Sequence, residues 1–244
     1  MRILVVNPNT TASMTARIGA AARAVAASGT EIAAVNPAMG PASIEGYYDE
    51  AFAIPGLLEE IARGEAEGVD GHVIACFDDT GLEAARTIAR APVVGIGEAA
   101  FHMASLIAGR FTVVTTLDRS VPAIEHNLMK YGLDRRCARV RAAEVPVLAL
   151  EDATSDARRR IDETIADAKR EDRAEAIVLG CAGMADLAAT LSAAHGLPVV
   201  DGVSCAVKLV EGLATLGLRT SKTHGYQPPR PKAYSGVLDR FAPS

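Results

Sequence analysis

Short apolar, β-rich runs alternate with longer stretches of helical period along this chain. The runs Ile3–Val6, Glu31–Val35, His72–Ala75, Val93–Ile96, Phe111–Thr115, Val140–Val145, Ala176–Leu179 and Val199–Asp201 predict eight strands. Between them apolar residues recur at helical spacing, as in Met14, Ile18, Ala22 and Val25, and again in Ile161, Ile165 and Ala168. Strands separated by helices need crossover connections, which predicts an α/β fold with mostly parallel sheets.

The pattern also repeats. Arg2-Ile3-Leu4-Val5-Val6-Asn7 is echoed by Arg110-Phe111-Thr112-Val113-Val114-Thr115, and Val73-Ile74-Ala75-Cys76 by Val178-Leu179-Gly180-Cys181. Each cysteine has Leu six residues on (Leu82, Leu187). Each then meets Pro-Val-Val, at Pro92 after 16 residues and at Pro198 after 17. Four matches in one order predict two pseudo-symmetric, Rossmann-like lobes, each a four-stranded sheet flanked by helices. Residues 1–106 would form the first lobe, with Cys76, completed by a helix returning from the C-terminal part. Residues 107–218 would form the second, with Cys181. Residues 219–244, with Pro228, Pro229 and Pro231, read as a tail packed along the surface or onto a neighbouring subunit.

With 244 residues, 49% of them hydrophobic, the chain is long enough to bury cores of this size. A net charge of -5 offers no basic footprint for nucleic acid, and the charged stretch 158–171 mixes both signs, as a solvated helix face does. Only four apolar residues follow Met1-Arg2 before Asn7-Pro8, too few for an export signal, and no apolar run approaches a membrane span. A cytoplasmic protein with no membrane partner is the expectation. The five histidines share no close ligand spacing, so no metal is expected.

Four cysteines are scattered at 76, 137, 181 and 205, without CxxC or zinc-type spacing, and should be reduced thiols. Most buried cysteines are packing residues, and Cys137 and Cys205 read so. Cys76 and Cys181 differ, because each follows a buried strand at an equivalent place in one of two similar halves. Ligands of open parallel sheets bind beyond the carboxyl ends of the strands, so two facing halves would aim a thiol at each side of one cleft. A helix start after each cysteine would favour the thiolate. Inversion at a carbon acid needs a base on one face and an acid on the other, and a thiol pair with one proton supplies both. The planar carbanion would be held by backbone N–H groups of the loops after the thiols and by Asn7, Thr10, Thr115 and Thr116.

Several motifs carry a resemblance. Asn7-Pro8-Asn9-Thr10-Thr11, Ser43-Ile44-Glu45-Gly46-Tyr47-Tyr48-Asp49-Glu50, Cys76-Phe77-Asp78-Asp79-Thr80-Gly81-Leu82, Gly95-Ile96-Gly97-Glu98 and Gly180-Cys181-Ala182-Gly183-Met184 resemble the hydantoin and allantoin racemases of the Asp/Glu racemase superfamily. The resemblance covers nearly the whole chain. It implies an isomerase with its site between two α/β domains, Cys76 and Cys181 as acid and base, no cofactor, and a homo-oligomer (tetramer or hexamer). It implies racemisation of 5-monosubstituted hydantoins, or of the related cyclic ureide allantoin. Asn7, Ile44, Phe77, Gly95, Thr115, Thr116, Ala182 and Gly183 are the residues expected around that substrate. The amino-acid racemases of the superfamily usually follow their cysteines with Asn-Thr or Thr-His. Phe77 and Ala182 stand here instead, which suits a neutral ring better than a carboxylate.

Other readings were weighed. Gly95-Ile96-Gly97-Glu98-Ala99-Ala100 follows a strand and opens a helix, as dinucleotide-binding turns do, but no acidic residue ends a strand about 20 positions on. A tight turn near the substrate accounts for it better. A Cys-His hydrolase depends on spatial neighbours that spacing does not reveal. A non-catalytic small-molecule binding module could use the same two-lobed scaffold. Tyr47 and Tyr48, before Pro55-Gly56, read as a loop over the cleft.

Overall fold

The computed structural model describes every residue except Ala153 and Ser244. All eight strands form: β1 (Arg2–Val6), β2 (Glu31–Val35), β3 (Gly71–Ile74), β4 (Val93–Gly95), β5 (Phe111–Thr115), β6 (Cys137–Ala142), β7 (Ala176–Gly180) and β8 (Val199–Asp201). The helices are α1 (Ala12–Val25), α2 (Tyr47–Ala66), α3 (Leu82–Ile88), α4 (Ile96–Ile107), α5 (Val121–Lys130), α6 (Ala157–Asp167), α7 (Ala188–His195) and α8 (Gly202–Thr215). The strands make two parallel sheets of identical topology, β2-β1-β3-β4 and β6-β5-β7-β8. The repeat in the sequence is therefore a repeat in space.

The repeated Pro-Val-Val has a structural reason. Each proline precedes an edge strand, where its missing N–H costs no ladder bond. Its carbonyl then starts the pairing, Pro92 O accepting from His72 N (2.8 Å) and Pro198 O from Ile177 N (2.9 Å).

The core has three compartments. Leu57, Ile61, Leu82 and Ala85 of α2 and α3 cover the outer face of the first sheet, against Leu4, Val6 and Ile74. Ile161, Ile165 and Leu191 of α6 and α7 cover the outer face of the second, against Val114, Ile177 and Leu179. The largest cluster lies between the sheets and draws on both. It joins Val5, Val73 and Val94 to Val113, Val178 and Val200 through Phe101 of α4 and Val203, Val207 and Val210 of α8. Helix α8, from the C-terminal half, thus packs on β3 and β4 as well as on α1 and α4.

Two local readings are corrected. Strand β6 begins at Cys137, not Val140, because it is a polar edge strand with only Val140 buried, giving little apolar signal. It ends at Ala142 because Glu144 adopts a left-handed φ of 54°. Val145 N still reaches Thr116 O at 3.0 Å beyond that kink. Tyr47 and Tyr48 form no loop over the cleft but the first turn of α2, where they are 59% and 78% exposed. The helix runs through Pro55, which leaves the carbonyl of the exposed Ala51 to solvent, and Gly56 lets it lie against Pro37 and Met39.

Beyond α8 the tail lies on the first lobe. Thr220 N donates to Arg90 O (3.0 Å), Lys222 Nζ to Arg86 O (2.5 Å), and Arg240 pairs with Glu59 (3.0 Å).

The starts of α4 and α8 touch at Gly202, where a Cβ would lie 2.3 Å from the backbone oxygen of Ile96. Gly202→Ala must push the two central helices apart. The expected cost is about 1–3 kcal/mol in unfolding free energy, read by denaturant titration.

Candidate active site

Beyond the carboxyl ends of β3 and β7, Cys76 and Cys181 line one cavity of about 40 Å³ between the lobes. It is a small space, enough for about three waters and too small for a substituted five-membered ring. Asn7, Ile44, Phe77, Thr116 and Ala182 also form its wall. So do Pro8, Asn9, Met14, Ala75, Asp78, Ser120, Val147 and Gly180. Three expected wall residues stand behind it instead. Gly95 packs against the Asp79 carboxyl, the Thr115 hydroxyl turns to Gly180 O (3.1 Å), and Gly183 underlies Cys181. Thr10 is likewise tied to Pro41 O (3.3 Å).

The first wall is a self-bonded turn. Asn7 Nδ2 donates to Asn9 Oδ1 (2.9 Å) and Thr15 Oγ1 (3.0 Å), and Asn9 Oδ1 also accepts from Thr11 N (2.9 Å). These bonds fix the loop between β1 and α1 before any ligand binds.

The Cys76 loop is held by one buried carboxyl. Asp79, at a left-handed φ of 51°, accepts from Gly97 N (2.9 Å), Glu98 N (2.8 Å) and the Tyr131 hydroxyl (2.7 Å). It thereby caps α4 from a neighbouring loop. That explains the Gly-x-Gly turn. A Cβ on Gly95 would sit 2.0 Å from Asp79 Oδ1, and one on Gly97 would sit 2.3 Å from Phe77 O. The place a phosphate would take in a dinucleotide fold is filled by the protein's own carboxyl. Phe77 then packs edge-on against Phe101 (5.3 Å), which stacks over Phe111 of the second sheet (6.1 Å).

A strap from the second lobe borders the cavity, adding Val147 to its wall. The 3-10 turn Val147–Glu151 is tied to the first lobe by three bonds. Val147 N donates to Glu45 Oε1 (2.9 Å), Arg17 Nη1 to Leu150 O (2.9 Å), and Ser13 Oγ to Glu151 Oε2 (2.5 Å).

The electrostatics correct another expectation. Neither thiol sits at the first turn of an α-helix: α3 starts only at Leu82, and Cys181 leads into a 3-10 turn. Burial pushes the Cys181 thiol up to about 11, opposed by an N–H bond from Gly183. Cys76 is raised well above the usual thiol range by burial and then by the Asp78 charge, against a hydrogen bond from Thr80 Oγ1 (3.3 Å). Asp78 is itself raised to about 7 by burial, Glu50 and Asp79. The repeat marks the thiols, whereas nothing in it marks Asp78 as a wall residue, because the equivalent place after Cys181 is Gly183.

The histidines play no part in the cavity wall. His72, fully buried, shares a 2.9 Å hydrogen bond with Glu65, which also accepts from Arg90 N and Ala91 N. No group of three His, Cys, Asp or Glu among the described residues could hold a metal ion. Nor is any helix among them long and apolar enough to cross a membrane.

Comparison with known proteins agrees with this fold. Residues 3–210 match the family described as Asp/Glu/Hydantoin racemase. A hydantoin racemase of Rhizobium meliloti is 53% identical over 236 residues, covering 97% of this chain and 98% of that protein. Allantoin racemase from Klebsiella pneumoniae superposes with a TM-score of 0.97 at 52% identity, over the full length of both chains. The Pseudomonas fluorescens allantoin racemase gives 0.92 at 44% identity, covering 97% of this chain and 100% of that one.

The Asp79 cap invites a double-mutant cycle. Gly95→Ala and Asp79→Ala should each destabilise the fold, the second by about 1–3 kcal/mol through the N–H and O–H groups it orphans. Gly95→Ala should cost less in the Asp79→Ala background, because the atoms it strikes are gone. A coupling of about 1–3 kcal/mol by chemical denaturation is expected.

Proposed function

The chain belongs to the Asp/Glu/hydantoin racemase family and is a racemase; on that footing we propose that it racemises 5-monosubstituted hydantoins with Cys76 and Cys181 as a cofactor-independent acid/base pair. One observation carries this reading: two thiols, each leaving the equivalent strand of a pseudo-symmetric sheet, line one cavity.

The thiolate on one side removes the C5 proton. The resulting carbanion is planar and delocalised into the adjacent ring carbonyl, which the hydroxyls of Thr116 and Ser120 can serve as donors. The thiol on the other side then delivers its proton to the opposite face. The two cysteines exchange roles for the other enantiomer, and the titration belongs to the pair. A raised thiol pKa reduces the thiolate fraction but makes that thiolate a stronger base, which a weak carbon acid requires. The absence of a histidine from the cavity wall speaks against a Cys-His hydrolase. A homo-oligomer in the cytoplasm, and the division at about residue 107, belong to the same proposal.

A second reading, racemisation of allantoin, is favoured by the polar side chains of Asn9, Ser120 and Asp78 on the wall, which could meet a ureido group. Polarimetric rates on allantoin and on a 5-alkyl hydantoin decide between the two.

Cys76→Ser and Cys181→Ser should each lower the racemisation rate about 10²–10⁴-fold, the usual worth of a positioned acid or base. Each variant should still exchange C5 hydrogen with heavy water in one enantiomer, without inversion, as followed by NMR. Wild-type rates in both variants would sink the mechanism.

The pH dependence has a definite sign. A thiol is neutral below its pKa, so with Cys181 pushed up to about 11 the thiolate fraction grows tenfold per pH unit across the neutral and mildly alkaline range. Log kcat/KM, corrected for spontaneous racemisation, should therefore climb with a slope near one. A plateau already reached at neutral pH would contradict the raised thiols.

A further inference from the structure

The carboxyl group of Asp78 lies on the cavity wall two residues after Cys76, yet the mechanism above does not use it. No hydrogen bond to its side-chain oxygens is found among the described residues; its backbone carbonyl accepts from Asn127 Nδ2 (2.8 Å), and its backbone N–H is turned to the Cys76 thiol. Asp78 shares that wall with both thiols, and its charge bears on each of them. Behind it stands Glu50 of α2, whose charge acts on Asp78 and whose Oε1 is buried without a partner. Glu45, at the strap, adds to the same field at Cys181.

The charge of Arg17 reaches Cys181, but from outside the wall. Among the described residues lining the cavity there is no lysine or arginine. Arg17 is committed to Asp186 (3.0 Å) and to Leu150 O (2.9 Å), and Arg119 is exposed, its stem beside Gly46. Asp78 is half-buried, and a half-buried carboxylate without protein donors is poorly solvated, which any ligand that brings N–H groups relieves. The same carboxylate repels a ligand that brings another negative charge.

We propose that Asp78, backed by Glu50, is the specificity-determining residue of the site: it accepts hydrogen bonds from ureide N–H groups and excludes substrates that carry a carboxylate. This rests on the ureide reading given above and assigns a residue to it.

The test is an isosteric pair, hydantoin bearing a 5-carbamoylmethyl group and hydantoin bearing a 5-carboxymethyl group. Both are measured at about pH 8, above the point at which Asp78 ionises, by calorimetric binding and by racemisation. Wild-type protein should bind the amide at least about tenfold more tightly than the acid. In Asp78→Asn the preference should fall to within about threefold, and KM for the neutral amide should rise, because one acceptor and its charge are lost. Glu50→Gln should narrow the preference by a smaller factor, and it carries the test if Asp78→Asn does not fold by circular dichroism. A purely structural role for Asp78 would change stability and leave the amide-to-acid ratio alone. An unchanged ratio in a folded Asp78→Asn, or in Glu50→Gln if only that variant folds, overturns the assignment. Absent racemisation with the binding ratio intact would overturn the hydantoin reading and leave Asp78 as the selector of a ureide site.

Discussion

Helices α4 and α8 are wedged between the two parallel sheets, and their packing sets how far apart the two cysteine-bearing strand ends lie. Phe101, Val203, Val207 and Val210 touch apolar residues from both sheets in one continuous cluster. Close-packed interiors respond to a shift of even one methylene, so the gap between the lobes is a rigid dimension. At the helix starts the approach is close enough that Gly202 has no room for a Cβ against Ile96. The cavity is what remains where this wedge ends, bordered by a strap whose hydrogen bonds cross from one lobe to the other. Rigidity in the wedge with a hydrogen-bonded strap is a workable division for a site smaller than its ligand. The strap is held by a few polar bonds, the wedge by apolar contact.

The electrostatics follow from that enclosure. Two half-buried thiols, with Asp78 beside them and Glu50 behind it, sit where charge is poorly solvated, so every acidic group in the cluster is pushed toward its neutral form. An enclosed acidic site disfavours anionic ligands and rewards donors. It also makes proton transfer between a thiolate and a carbon acid less dependent on water. The same low polarity that slows formation of the thiolate strengthens it once formed.

Much of this was legible in the sequence, and the rest was not for identifiable reasons. The strands β1, β3, β5 and β7 are buried on both faces and read as continuous apolar runs, so they were predicted almost to the residue. Strand β6 carries Arg139 and Arg141 on a polar edge, and its start at Cys137 left no apolar mark. Helix α2 was obscured by Pro55 and Gly56, whose turn-forming habits were overridden by packing against Pro37 and Met39. The thiols stood out because they recur in both halves. Asp78 and Asp79 occur after only one of them and carried no such mark. Gly95 and Gly97 have the spacing of glycines that need close contact, and the contacts found are with Asp79 and Phe77.

That asymmetry between the halves bears on the proposed two-thiol chemistry. Both thiols have a backbone N–H donor and feel the Asp78 charge, but Cys76 also has the Thr80 hydroxyl and lies nearer Asp78 in sequence, so the two thiolates differ in basicity. Enantiomers with a single stereocentre have equal free energy, and an enzyme cannot shift an equilibrium it only catalyses. The two directions must therefore share one kcat/KM, however unequal the bases. Unequal thiols can alter only the partition of that common value between kcat and KM, through the binding of each enantiomer and the protonation state that each one needs. Exact symmetry of the lobes was thus never required for racemisation. The fold has only to deliver one sulfur to each face, and the surroundings of each are free to diverge toward recognising the ring.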